Sequence, residues 1–339
     1  RHYPRQLDPV FQPFGEPELR TAIAARYTRD AAHCWHADNV YVAADFHGAF
    51  KAVLGTLGLR GGTVLVESPC AWGLLRLLQS FDIRVIELPL DETGCLDAAR
   101  LDGLLRGHDI GLAVLPSLLN PVRGSVRAQG NSQAVAEVIN RHQVWVLEND
   151  SHAELQFAAG QVPLRHWIDP QRLVIIGGFE KSLGPEAPYA YLLCKSLDAR
   201  WQQYFCLRAF ELPPLRQRAI ARLCSSGRLD RQLLALRETL AGRMQAMTRQ
   251  LDEHTGGALR YQLPEGGCGI WAESAYPVDL RQVFIALLAR SIVVGPGELF
   301  TVQNRYSQHL WISYATDWTR EPARLLGALG EALSQARLP

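Results

Sequence analysis

A chain of 339 residues, 47% hydrophobic and 20% charged, can bury one large core and a smaller one, as a globular protein of one or two domains does. Lys and Arg number 35 against 34 Asp and Glu, so a net charge of +1 supplies no overall basic field for nucleic acid. Seven cysteines without paired spacing (34, 70, 95, 194, 206, 224 and 268) argue for free thiols in a reducing, cytoplasmic compartment and against a disulfide framework or structural zinc.

Residues 18–28 read as an amphipathic helix entered through Gly15 and Pro17, inside an N-terminal segment or arm spanning 1–39. From 40 to 177 short apolar runs alternate with helical ones. The order is Val-Tyr-Val-Ala-Ala, helix 46–57, Thr-Val-Leu-Val, helix 72–80, Arg-Val-Ile-Glu-Leu, helix 97–106, Gly-Leu-Ala-Val-Leu, helix 131–141, Val-Trp-Val-Leu and Leu-Val-Ile-Ile. Continuous apolar strands separated by helices imply an α/β protein whose mainly parallel sheet is covered on both faces. Ligands of such sheets bind beyond the carboxyl ends of the strands, where Asp45, Ser117, Asn149 and Gly178 fall.

The stretch 197–253 is largely helical, broken by Leu-Pro-Pro at 212–214 and capped at Gly227. Beyond Gly256-Gly257, Leu259–Leu263, Gly269–Trp271 and Leu310–Tyr314 read as strands, with helices at 279–289 and 320–335. The expected division is a large sheet domain over 40–235 and a small C-terminal α+β domain over 236–339. No apolar run approaches the roughly 20 residues that span a bilayer, no signal peptide opens the chain, and no metal-ligand spacing is present. A start at Arg1, with Met244 and Met247 as the only methionines, is expected of a fragment or a processed chain.

One turn carries the chemistry. Lys181 follows the apolar run Leu173–Ile176 and Gly177-Gly178, in Gly178-Phe179-Glu180-Lys181-Ser182-Leu183-Gly184-Pro185. A lysine on such a turn, partly desolvated, is the layout of a Schiff-base amine. An acid or amide at the end of the preceding strand, Glu148-Asn149-Asp150-Ser151-His152, would face the cofactor ring. Together they suggest a pyridoxal phosphate site.

With those residues in view the chain resembles the aminotransferase-type domain of fold-type I pyridoxal phosphate proteins, which implies a large domain with a mainly parallel seven-stranded sheet between helices and a small C-terminal α+β domain. It is most similar to the effector domain of MocR/GabR-type regulators of the GntR family. The resemblance covers nearly the whole chain: 15–24, Val66-Glu67-Ser68-Pro69 with Gly73-Leu74-Leu75, Pro116 to Pro121 with Gly124, 148–155, Phe179-Glu180-Lys181, 226–231 and 294–300. The segment 221–237, ending in Arg237, tilts the match toward the regulators.

The resemblance also shows where this chain departs from the family. The phosphate cup, a small turn whose amides hold the anion, reads Ala44-Asp45-Phe46 and sets a carboxylate there. The ring-stacking aromatic falls on Ala71, and the adjacent Trp72 is the candidate to replace it against the cofactor ring. The ring-nitrogen aspartate falls on Asn149, which cannot hold that nitrogen protonated. Asp150, next door on a strand, should face the other way. Ser151 and His152 replace an expected tyrosine, Glu180 a serine, and Pro188 the phosphate-binding arginine. The arginine that clamps a substrate carboxylate falls on Trp311. What survives is Lys181 and Asn120.

Each residue keeps a plainer reading. Lys181 is either a cofactor lysine or an amine paired with Glu180 or Asp45. Asn120 is a cofactor ligand or turn chemistry before Pro121. Asn149 either meets an altered ligand or satisfies a strand end, and His152 stacks on a ring or is structural. Asp45 and Glu180, with Trp311, form an effector pocket or are solvated and packed remnants; Trp72 lines a pocket or packs in a core. Arg216, Arg218, Arg228, Arg231 and Arg237 make a basic helical face or a dimer rim.

Three functions follow. The first is the effector-binding, dimerising domain of a MocR-type regulator without efficient transamination, which would meet DNA through a winged-helix domain preceding this chain. The second is a free-standing pyridoxal-phosphate aminotransferase, and the third a cofactor-free pseudoenzyme.

Overall fold

The computed structural model describes residues 12–338 except 32, 159, 208–211, 317 and 319–321. The expectations for residues 1–11 of the N-terminal arm, and for the start of helix 320–335, therefore lie outside the described residues.

In chain order the elements are α1 (Pro17–Tyr27), β1 (Val40–Ala43), α2 (Phe46–Thr56), β2 (Thr63–Ser68), α3 (Trp72–Ser80), β3 (Arg84–Pro89), α4 (Ala98–Gly107) and β4 (Leu112–Pro116). Then come α5 (Gln129–His142), β5 (Trp145–Asn149), β6 (Leu173–Gly178), α6 (Glu180–Leu183), β7 (Ala190–Cys194), α7 (Asp198–Cys206), α8 (Pro214–Ser225) and α9 (Arg228–Thr255). The series closes with β8 (Leu259–Tyr261), β9 (Gly269–Ser274), α10 (Leu280–Leu288), β10 (Gly295–Pro296), β11 (His309–Ser313) and α11 (Pro322–Gln335).

Seven strands form one mostly parallel sheet in the order β1-β7-β6-β5-β4-β2-β3. Its central strands are buried almost end to end, as the uninterrupted apolar runs require. The chain divides into two compact units, Arg1–Gly58 with Pro170–Gln232, and Leu59–Asp169 with Leu233–Pro339.

The first unit holds β1, β7 and β6, each pair antiparallel. Strand β7 makes up the seven strands that the resemblance implies, although Ala190–Cys194 is not among the apolar runs named from the sequence. The same unit carries the α1–α8 helix pair, in which Glu16 meets Arg218 at 2.9 Å. Local chemistry sets its helix ends: Pro17 opens α1, and Gly227, at φ +68°, turns the chain from α8 into α9.

In the second unit β5, β4, β2 and β3 pair in parallel, and a four-stranded antiparallel sheet runs β10-β11-β9-β8. The expected strands of this smaller sheet are present with shifted ends, and β10 is an addition. One face of it packs Ile270, Ala272, Leu310 and Ile312 into a core with α10 and α11. Period-two alternation leaves Trp271, Glu273, His309 and Trp311 on the other face. Among the described residues no helix is long and apolar enough to cross a membrane, and no group of three or more His, Cys, Asp or Glu could hold a metal ion.

Candidate functional site

In the first unit, β6 delivers the chain to the lysine turn. Gly177 is required there, because a Cβ would lie 2.5 Å from the Tyr191 ring. Phe179 is buried against the same ring, with centroids 5.1 Å apart, and fixes the exit of the strand. Helix α6 is a single turn ended by Gly184 at φ +83°. It presents Lys181 outward, with its side chain 44% exposed and its Nζ 3.2 Å from Glu180 Oε1. That pair is solvated on both sides and contributes little to stability.

Asp45 stands at the start of α2 in the same unit. Its Oδ1 accepts a hydrogen bond from Gly48 N at 2.6 Å and so caps the helix. Phe46 stacks on Phe50 one turn further along. The amide of Gly48, in the turn that would face a cofactor phosphate, is thus bound to a carboxylate of the chain itself.

In the second unit the strand ends carry the other predicted residues. Asn149 Oδ1 accepts from Ser151 N at 3.2 Å and from Ser151 Oγ at 2.7 Å, and Ser151 Oγ lies 3.0 Å from His152 Nδ1. Oδ1 is therefore committed to the turn, which leaves Nδ2 to face any ligand. A donor suits an unprotonated pyridine nitrogen and cannot stabilise a protonated one. Asn120 is buried with its amide fully engaged. Nδ2 donates to Glu67 Oε1 at 2.7 Å and Pro69 O at 3.0 Å, while Oδ1 accepts from Val122 N at 2.9 Å and Arg123 N at 2.7 Å. Trp72 opens α3 and is 55% exposed. Trp311 faces Trp271 across β9 and β11 and lies so close over Gly269 that a Cβ there would meet its ring at 2.2 Å. Its Nε1 is buried without a hydrogen-bond partner. No cation stands at that position to clamp a carboxylate.

Strand ends β2, β4 and β5 enclose a cavity of about 20 Å³, lined by Glu67, Cys70, Ala71, Asn120 and Asn149 among others. That volume holds a single water. At the positions that the resemblance assigns to pyridoxal phosphate, the phosphate turn holds an aspartate, the ring-nitrogen position an amide with a committed oxygen, the O3′ position an asparagine whose amide is engaged within the chain, and the clamp position a tryptophan. Taken one by one, these side chains do not suit that group.

Two buried networks went unnoticed in the sequence. Arg127 and Glu67 form an ion pair through Nη2 and Oε2, both almost fully buried. Glu148 accepts from Arg165 N at 2.5 Å and from Arg165 Nη1, which also meets Asp150 at 3.1 Å. Glu148 and Asp150 share this partner, as their two-residue spacing on one face of the strand allows. The readable signal was a carboxylate inside an apolar strand run, Val66-Glu67 and Leu147-Glu148, since such a charge requires a partner. The basic residues are dispersed: Arg216 lies 3.8 Å from Glu186, Arg218 pairs with Glu16, and Arg237 Nε donates to Glu154 O at 2.6 Å.

Burial pushes the Glu148 carboxyl up to about 6, against the opposing pull of Arg165. A carboxyl raised in the folded state favours folding most below its unfolded value, and that contribution is lost as pH rises through about 6. Wild type should therefore gain stability relative to Glu148→Gln as pH falls from neutrality to about 4.5, the unshifted carboxyl value. Parallel urea-unfolding curves across that window would refute this if the difference stayed flat.

Comparison with known proteins agrees with this architecture. The chain matches the family described as Aminotransferase class I and II over residues 6–329, and it belongs to that family. It is 25% identical over 328 residues to the uncharacterized HTH-type transcriptional regulator YjiR of Escherichia coli, an alignment covering 95% of this chain and 68% of that one. It is 23% identical to the uncharacterized regulator YdcR of the same organism, covering 95% and 69%. The 2-aminoadipate transaminase of Thermus thermophilus is 27% identical over 280 residues, covering 80% and 70%. Among solved structures, the multiple substrate aminotransferase of Thermococcus profundus superposes with a TM-score of 0.84 at 20% identity, covering 98% of this chain and 85% of that one. LysN, the α-aminoadipate aminotransferase of Thermus thermophilus, was solved with N-(5′-phosphopyridoxyl)-L-leucine. It superposes at 0.85 with 21% identity, covering 96% and 83%.

Proposed function

We propose that this member of the aminotransferase class I and II family is the ligand-sensing domain of a MocR-type transcriptional regulator and does not transfer amino groups efficiently. The observation that carries the reading is the bond from Gly48 N to the Asp45 carboxylate, which sets a fixed negative charge at the turn where the family holds a phosphate. Trp311 at the clamp position and the committed Asn149 oxygen point the same way. A sensor tolerates these losses, because it needs differential affinity for two states of the protein and no turnover. The regulators YjiR and YdcR, which align along nearly all of this chain, support the regulatory half of the reading.

A small-molecule effector, a homodimer and DNA contact through a winged-helix domain belong to the same proposal. Lys181, solvent-accessible and on the expected turn, favours the competing reading as an aminotransferase, as does the likeness to 2-aminoadipate transaminase. The two readings part on one titration. Micromolar pyridoxal phosphate added to purified protein should produce no aldimine band beyond the absorbance of the free cofactor. Asp45→Ser keeps a cap and removes the charge, and should tighten cofactor binding about tenfold. A saturable band in the wild type, fixed to Lys181 by borohydride and accompanied by amino-group transfer, would establish the enzyme instead.

A further inference from the structure

We propose that a cavity of about 390 Å³ in the second unit, walled by Trp271, His309 and Tyr306, binds a small planar organic monocarboxylate. Its volume lies in the range of about 300–1,000 Å³ in which small-molecule sites fall. It shares none of the residues tested above for cofactor binding, and it stands whether or not the chain is a sensor.

The wall is aromatic. Trp271 and His309 stack with centroids 5.0 Å apart at 26°, and Tyr306 meets both edge-on at 5.3 Å. Pro69, Leu90 and Tyr261 extend this apolar lining. A flat ring seated here keeps the offset or edge-on contacts that aromatic groups prefer.

Two arginines supply the charge. Arg123 is half-buried and bound to neutral oxygens: Nη2 donates to Glu92 O at 2.9 Å and Gln262 Oε1 at 3.0 Å, and Nη1 to Asp91 O. Among the described residues neither Arg123 nor Arg260 makes an ion pair, although Glu92 and Glu273 also line the cavity. Burial, the largest influence on Arg123, lowers its pKa from the usual arginine value, while Tyr306, Asp91, Glu67 and Glu92 pull it the other way. Asp91 is already committed, to Thr93 Oγ1 at 2.7 Å and Cys95 N at 2.9 Å. The guanidinium hydrogen-bonds only to neutral oxygens, with the carboxylates of Asp91, Glu92 and Glu67 acting on it through space, so a ligand carboxylate would be its one directly bonded anion. The exposed rim carboxylates of Glu92 and Glu273 oppose a doubly charged one, which selects a carboxylate over a phosphate. His309 Nδ1 is buried without a partner, and burial lowers the basicity of the ring, so it offers the ligand a further polar contact.

Calorimetric titration of the 339-residue chain with indole-3-acetate tests the assignment. One site per chain is expected, with a dissociation constant below about 1 mM. Arg123→Gln and Arg260→Ala should each weaken it at least about tenfold. Arg260 is exposed, so its variant folds even if Arg123→Gln does not, and it then decides alone. Absence of heat at millimolar ligand would overturn the proposal, as would unchanged affinity in a folded Arg260→Ala. Equal binding of tryptamine or of inorganic phosphate would do the same.

Discussion

Arg127→Leu should destabilise the chain by about 3–5 kcal/mol, the loss expected when one partner of a buried ion pair is removed. Arg127 and Glu67 are 2% and 3% exposed, so bulk solvent does not screen the charge left behind. Arg127 also reaches Pro116 O at 3.3 Å, while Glu67 Oε1 is held by the Asn120 amide at 2.7 Å. Deleting the arginine leaves a carboxylate in the core with one neutral donor. The pair itself need not be strongly favourable, since desolvation offsets most of its attraction and Arg127 Nε has no partner at all. The double variant Glu67→Leu/Arg127→Leu should therefore recover most of the loss. A four-member cycle of urea denaturation measures this. If Arg127→Leu alone cost less than about 1 kcal/mol, the pair would not be the constraint described.

Gly297→Ala should cost about 3 kcal/mol, the upper end for an added methyl in a packed site. Its Cβ would sit 2.2 Å from Tyr306 O and 2.8 Å from His309 O, and backbone atoms cannot rotate away. The same displacement would move Tyr306 and His309, so indole-3-acetate binding should weaken together with stability. Gly103→Ala in α4 is the contrast. Nothing lies within 4 Å of its Cβ, and helix propensity then favours alanine by about 1 kcal/mol. Thermal unfolding of the two variants should shift in opposite directions. A shared sign would mean that the crowding at Gly297 relaxes.

Much of this was legible in the chain. Uninterrupted apolar runs located the covered sheet, and Gly177-Gly178 before Lys181 located the turn. Strand direction was not legible, because a strand buried on both faces shows the same apolar run whether its neighbours are parallel or antiparallel. Hence the seventh strand, β7, which pairs antiparallel with both β1 and β6, is implied by the resemblance but is not located by the apolar runs, behind Pro188 and its tyrosines. Asp45 stands out in the sequence as a departure from the family, either a pocket carboxylate or a solvated remnant. Its position directly before the helix at Phe46 is equally that of an N-cap, the role its side chain takes. The missing information was tertiary. Glu67 finds Arg127 sixty residues away, and the Trp311 ring takes the space that Gly269 leaves open, pairings that no local pattern encodes.

The seal that Asp45 places on α2 has a consequence for the life of the protein. A helix whose third-residue amide is satisfied from within carries its own counter-charge, so the start of α2 can form before any outside anion reaches it.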